Sequence, residues 1–323
     1  MGAADRPPKL ILAPLKGFTD AVFRKAFAAH FTGFDAAVAP FITAAAPGRV
    51  TDKLLRDLLP AENAGGLPIV PQILGNDPEG FIDLARRLAE LGYAEVNWNL
   101  GCPFRPVTKK RRGAGLLPFP AAVDEFLDRV LPTLPLRLSI KLRLGRSRAD
   151  EILHLMPVLN RYPLAELVIH PRTARQRFSG PPDLEAFAAC LAASRHPVVY
   201  NGDITDPAGF RALSARFPSA SGWMIGRGAL ADPFLPEAIK RGQIASRGSL
   251  EAFKAFYDEL FGRYGERLCG PRHLLDRMKG FWTYFGKGFQ DGGGIEKRVH
   301  RIFNLPRYVE TVERFFREEA KRR

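Results

Sequence analysis

The sequence predicts an α/β fold: a closed (β/α)8 TIM barrel over residues 1–240, followed by an all-α helical domain over residues 241–323. Three observations carry this. Eight short apolar runs alternate with polar or glycine-bearing loops and amphipathic segments through the first 240 residues, and strand-then-helix units of that number and length close into a barrel. The first β–α turn, Ala13-Pro14-Leu15-Lys16-Gly17, lacks the glycine fingerprint of an open dinucleotide-binding sheet. Beyond residue 240 the strand signals stop and long helical patterns take over.

The predicted strands are residues 10–13, 36–39, 69–73, 94–99, 136–142, 167–170, 198–201 and 223–226. Between them, residues 78–91, 121–131 and 184–193 repeat apolar side chains at i, i+3 and i+4, the pattern of a helix with one buried face. Asp77-Pro78 and Asp206-Pro207 each supply an N-cap followed by proline at the first helical position. Residues 241–249 carry glycine and serine and read as a linker. Residues 250–264, 273–285 and 297–321 then read as helices. The tail from residue 240 holds 14 of the 34 aromatic residues, enough for a core of its own beneath a basic exterior. The alternative is an extra helical layer laid on the barrel.

Composition narrows the function. The 323 residues are enough to bury a sizeable core. Lys and Arg outnumber Asp and Glu 48 to 34, a net charge of +14. That excess suits nucleic acid, an acidic membrane surface or a phosphorylated ligand, and equally a basic solvated surface. No apolar stretch is long enough to span a membrane, and no apolar signal segment stands at the start. Cys102, Cys190 and Cys269 are odd in number, far apart and form no CxxC pair, which fits a reducing cytoplasm. No metal-ligand spacing is present, and nothing calls for more than a monomer.

Reactive groups of such a barrel come from the C-terminal ends of its strands. Those ends supply Pro14 and Leu15; Gln72; Asn97, Asn99 and Cys102; Lys141 and Arg143; His170 and Arg172; Asn201-Gly202-Asp203; and Gly226-Arg227-Gly228. The strand bodies are apolar, so polar groups gather at one rim, as a ligand pocket requires. The last two turns follow the seventh and eighth strands, the usual phosphate position, where backbone N–H groups meet the anion. Three basic runs without an acid, residues 104–112, 137–148 and 170–178, follow strand ends and are expected to ring the pocket mouth with positive potential suited to a phosphodiester backbone.

Seven motifs then stand in order: Ala13-Pro14-Leu15-Lys16-Gly17-Phe18-Thr19-Asp20, Asn99-Leu100-Gly101-Cys102-Pro103, Gly113-Ala114-Gly115-Leu116-Leu117, Lys141-Leu142-Arg143-Leu144-Gly145, His170-Pro171-Arg172-Thr173, Asn201-Gly202-Asp203-Ile204 and Met224-Ile225-Gly226-Arg227-Gly228-Ala229. Together they resemble the tRNA-dihydrouridine synthases, strongly over residues 10–235 and in general character over the tail. The resemblance implies an FMN-binding barrel in which NADPH reduces the flavin. The flavin then reduces the C5=C6 bond of a specific uridine in tRNA, with hydride to C6 and a proton to C5 from the opposite face. It implies Cys102 as the acid, and a free thiol with a pKa of about 8.5 is mostly protonated at neutral pH. Cys190 and Cys269 keep the reading of inert cysteines.

The resemblance further implies that Asn99 and Arg143 hold the uracil edge, with Arg172 and Phe178 beside the substrate. Lys141, Gln72 and His170 are implied at the flavin, and Pro14 and Leu15 along its rings. Asn201, Gly202, Gly226 and Arg227 are implied at its phosphate. Asp203 belongs with that group or merely caps its turn. Three positions depart from the family pattern: Lys16 replaces a small or acidic residue, Lys109 to Arg112 replace much of a glycine-rich stretch, and Phe178 stands where many members have tyrosine. The rival readings are an FMN oxidoreductase of a small molecule and an RNA-binding barrel without flavin.

Overall fold

The computed structural model describes residues 7–246 and 248–322. Its ten strands are β1 (Leu10–Leu12), β2 (Ala36–Val38), β3 (Ile42–Thr43), β4 (Ile69–Val70), β5 (Gln72–Leu74), β6 (Glu95–Leu100), β7 (Arg137–Gly145), β8 (Leu167–Thr173), β9 (Val198–Tyr200) and β10 (Gly222–Ile225). They pair in parallel in the order β3-β5-β6-β7-β8-β9-β10-β1-β2-β4. The predicted third strand is split at Pro71, which has no N–H to donate to a ladder. Its first half, β4, pairs with β2, and its second half, β5, pairs with β6. The Pro71 carbonyl still accepts the Asn97 N–H at 2.8 Å. The ring therefore closes through one segment, and the eight predicted strands are all present. The extra strand, β3, continues the chain beyond β2 and pairs with β5.

Helices α1 (Ala21–His30), α2 (Pro78–Glu90), α3 (Pro120–Val130), α4 (Glu151–Leu159), α5 (Leu184–Ala193), α6 (Pro207–Arg216) and α7 (Leu235–Lys240) follow the strands. Asp77 and Asp206 cap α2 and α6 by accepting the N–H of Gly80 and Gly209, as the Asp-Pro pairs predict. Side chains alternate along a strand, so residues of one parity point into the barrel. The lower interior is apolar on one side, where Ile11, Val38, Val168, Val199 and Met224 meet. On the other side Gln72, Asn97 and Ser139 bury polar groups, and each must find a partner there.

The tail comprises α8 (Leu250–Arg267), α9 (Pro271–Phe285), α10 (Gly292–His300) and α11 (Leu305–Arg322). The continuous helix expected over residues 297–321 is interrupted. Asn304 accepts the Arg307 N–H on its side chain, and Pro306 stands at the start of α11, where it has no N–H to join the preceding turn. Inside the tail, Trp282 Nε1 donates to the Tyr308 hydroxyl at 2.8 Å, and Tyr257 shares a hydrogen bond with the same oxygen. The apolar core nevertheless runs without a break from the tail into the barrel. Phe256 lies against Phe23, Phe27 and Phe31 of the α1 region, and Phe281 stacks on Phe23 with centroids 5.7 Å apart. No helix among the described residues is long and apolar enough to cross a membrane.

Candidate active site

The upper interior opens as a pocket enclosing about 290 Å³. Strand parity builds it. Ala13, Asn99, Lys141, His170, Asn201 and Gly226 continue the inward-facing rows above Ile11, Asn97, Ser139, Val168, Val199 and Met224. Loops after the strands add Pro14, Leu15, Cys102, Gly202, Asp203 and Arg227, and Arg143 and Phe178 complete the wall.

A buried relay fixes Cys102. Asn99 Oδ1 accepts the backbone N–H of Gly101 and of Cys102, at 3.0 and 2.9 Å. That identifies the oxygen end of Asn99 and leaves its Nδ2 to donate to Gln72 Oε1 at 2.7 Å. Gln72 Nε2 donates to Asn97 Oδ1, and Asn97 Nδ2 donates to Ser139 Oγ. From the other side, Gly113 presses on the cysteine. Its φ is +54°, and a Cβ there would stand 2.9 Å from the Cys102 Cβ. Glycine is thus required by both backbone conformation and space.

The adjoining wall, from β7 and β8, is cationic. Arg143 is buried; its Nε donates to the Gly101 carbonyl at 2.9 Å and one terminal nitrogen to the Thr173 carbonyl at 3.0 Å. Burial, with Arg172 and Arg227 nearby, lowers its pKa to about 10. Burial, with Arg143 beside it, lowers Lys141 to about 7. Among the described residues the Lys141 ammonium has no hydrogen-bond partner. His170 Nε2 lies 3.1 Å from an Arg172 nitrogen, which can only donate, so Nε2 accepts and the ring's proton sits on Nδ1. Burial and four surrounding cations, Arg143 first, hold the His170 pKa well below its ordinary value, so the ring is neutral. For Asp203, burial alone would raise the pKa. The guanidiniums of Arg172 and Arg227 outweigh it and hold the carboxyl below its ordinary range.

All the expected site residues except Gln72 and Arg172 line this pocket. Gln72 is fully buried beneath it, in the relay to Asn99. Arg172 is also buried, against the expectation of a side chain beside the substrate. Its donors go to the Gly180 carbonyl, His170 and Asp203, so it braces the wall from behind. The basic rim also needs one correction: Arg137 opens β7 and pairs with Glu95 at 3.1 Å, at the opposite end of the barrel. Exposed Lys109, Lys110, Arg111, Arg146, Arg175 and Arg177 remain on loops at the pocket end, where the Arg175 N–H donates to the Arg146 carbonyl.

Two lining aromatics escape the reading by strand ends. Phe41 follows β2, whose end shows no polar residue, and Tyr284 comes from α9 of the tail. Tyr284 meets Phe18 edge-on at 5.0 Å. The tail also grips the first loop: Tyr264 donates to Asp20 at 2.7 Å, and Arg277 donates to the Gly17 carbonyl. Cys190 is buried in α5, where burial raises its thiol to about 12.

Comparison with known proteins agrees with this architecture. The family described as "Dihydrouridine synthase (Dus)" matches residues 11–306, which takes in most of the tail. The "tRNA-dihydrouridine(16) synthase" of Ralstonia nicotianae is 34% identical over 256 residues, 75% of each chain. A "Probable tRNA-dihydrouridine synthase" of Rhodobacter capsulatus is 33% identical, covering 79% of this chain and 82% of that one. Among solved structures, a morphinone reductase variant superposes with a TM-score of 0.53 at 14% identity, over 76% of this chain and 90% of that one, a likeness of barrel fold alone. With the motifs, the barrel and the tail all falling within one family's span, the chain belongs to the dihydrouridine synthase family.

Proposed function

We propose that this enzyme uses FMN, reduced by NADPH, to convert a specific uridine of tRNA to 5,6-dihydrouridine, with Cys102 delivering the proton to C5. The observation that carries the reading is that Cys102 shares one pocket with Lys141, Arg143 and neutral His170. The residues fit a flavin nucleotide. An unpartnered Lys141 ammonium faces the pocket, Pro14 and Leu15 give it an apolar side, and Gly202, Gly226 and Arg227 stand where the fold binds phosphate. When bound, the flavin supplies the hydride that reaches C6.

The chain's own residues do the rest. Hydride addition to C6 leaves an enolate with its negative charge on C5 and the C4 oxygen, and Arg143, held by two backbone carbonyls, keeps its remaining N–H groups available for that oxygen. The Asn99 relay and Gly113 hold the thiol in place for proton transfer. Arg172 acts through His170 and Asp203 rather than on the base. The exposed cations of the rim and the tail, residues 241–323, bind the tRNA body, and the target base leaves its stack to enter. We place the protein in the cytoplasm, working as a monomer.

The decisive experiment is to map dihydrouridine in tRNA from a strain lacking this chain, then to restore it with purified protein, FMN and NADPH. The Ralstonia relative is named for position 16, which makes that the first position to examine. Loss of one dihydrouridine and its restoration are expected. An unchanged tRNA would overturn the reading, as would turnover of free uracil without tRNA.

A further inference from the structure

A second cavity, of about 480 Å³, adjoins the first and is lined by Lys16, Phe41, Cys102, Phe104, Lys110 and Arg112 among others. Lys16, Phe41 and Cys102 belong to both cavities. Its chemistry is distinctive. The Phe104 ring is 62% exposed, although burial of an aromatic ring is favourable. Lys16 sits over the Phe41 ring, 4.5 Å from its centroid. Among the described residues, the Lys16 and Lys110 ammoniums have no carboxylate partner, and no acid lines the cavity. Arg112 is oriented by Asn76, which accepts from its Nε at 3.0 Å and donates to the Lys110 carbonyl at 3.1 Å. Flat apolar faces beside fixed cations are the complement of a nucleobase joined to a phosphate.

Resting on the function proposed above, we infer that this cavity binds the nucleotide adjacent to the target uridine, its base against Phe104 and its phosphate between Lys16 and Lys110. Position decides between RNA and the reductant. The cavity reaches Cys102, on the side of the uracil away from the flavin. It touches none of Lys141, His170, Gly202, Gly226 or Arg227. A nicotinamide must lie against the flavin, whereas the neighbour of the target base is tied to it by a phosphodiester. Two of the three departures from the family pattern, Lys16 and the run from Lys109 to Arg112, contribute to this cavity.

The test uses the full-length holoenzyme with Phe104→Ala, Phe104→Trp and Lys110→Ala, all at exposed positions that leave the fold intact. Steady-state kinetics with tRNA and anaerobic flavin reduction by NADPH without tRNA are measured for each. Phe104→Ala is expected to raise KM for tRNA about tenfold, the scale of one lost stacking contact, with Phe104→Trp restoring it. Lys110→Ala is expected to make the salt dependence of tRNA binding shallower by about one phosphate contact. Flavin reduction is unchanged in all three. An unchanged KM for tRNA in an active enzyme overturns the inference alone. A raised KM for NADPH with KM for tRNA unaltered also overturns it, by giving the cavity to the reductant. A wild-type enzyme that forms no dihydrouridine overturns the underlying function and this inference with it.

Discussion

The Asn99 side-chain oxygen accepts the Cys102 backbone N–H at 2.9 Å, so the thiol's position is set by a side chain that would otherwise be read as a substrate contact. Asn99 in turn is held by Gln72, and Gln72 by Asn97. Polar groups buried inside a barrel are tolerated because each finds a partner. Here the satisfied chain also transmits the rigidity of β5, β6 and β7 to the loop after β6.

Asn99→Ala strands two backbone N–H groups and one Gln72 oxygen. It is expected to cost about 1–3 kcal/mol of stability and to slow uridine reduction while leaving flavin reduction by NADPH intact. Asn99→Asp keeps the acceptor and is expected to retain the larger part of the activity. Denaturant unfolding and single-turnover kinetics check this. Equal activity of the Ala and Asp variants would remove Asn99 from the positioning role.

Cys102→Ala removes the proposed acid without touching the cationic wall. Flavin content and tRNA affinity are expected to stay at wild-type levels, while oxidation of reduced flavin by tRNA slows by about 10²-fold or more. Stopped-flow flavin absorbance reads this directly, and wild-type turnover by the variant would sink the assignment.

Lys141 carries a pH dependence of defined sign. Its folded pKa is about 7, lowered by burial and by Arg143, against about 10.4 when unfolded. Between those values the unfolded chain binds a proton that the folded chain has released, so stability rises with pH through this group. Lys141→Met removes that rise. Without ligand, the variant is expected to exceed the wild type in stability at pH 6.5, and the difference should shrink by pH 9.5. A difference independent of pH in urea titrations would contradict the lowered pKa.

The seam between α1 and the tail is a stability element. Phe256→Ala is expected to cost about 3–5 kcal/mol, because its ring is fully buried against three phenylalanines. Truncation after residue 240 would expose Phe23, Phe27 and Phe31 together, and the barrel alone is expected to be insoluble. A soluble truncated barrel with a cooperative thermal transition would show the seam to be dispensable.

Much of this was legible in the chain. Alternation along the strands selects Asn99, Lys141, His170, Asn201 and Gly226 as inward residues, and the Asp-Pro pairs mark helix starts. What was hidden depends on through-space partners. Arg172 has the same parity as His170, yet its donors are spent on the Gly180 carbonyl of the following loop and on Asp203, 31 residues further along the chain. Arg137 belongs to a basic run, but its place at the start of β7 puts it at the far end of the barrel. Tyr284 has no local signal at all, since its role arises from how α9 docks beside Phe18.

The contact between Phe31 and Phe256 has a consequence for how the protein is made. The phenylalanine face of α1 leaves the ribosome well before its partners, Phe256 on α8 and Phe281 on α9. At roughly 5–20 residues per second, the intervening stretch takes on the order of ten to forty-five seconds to synthesise. Throughout that interval the nascent chain carries an uncovered aromatic stripe. Helices α8 and α9 are therefore the ones that end its exposure to aggregation and to chaperones.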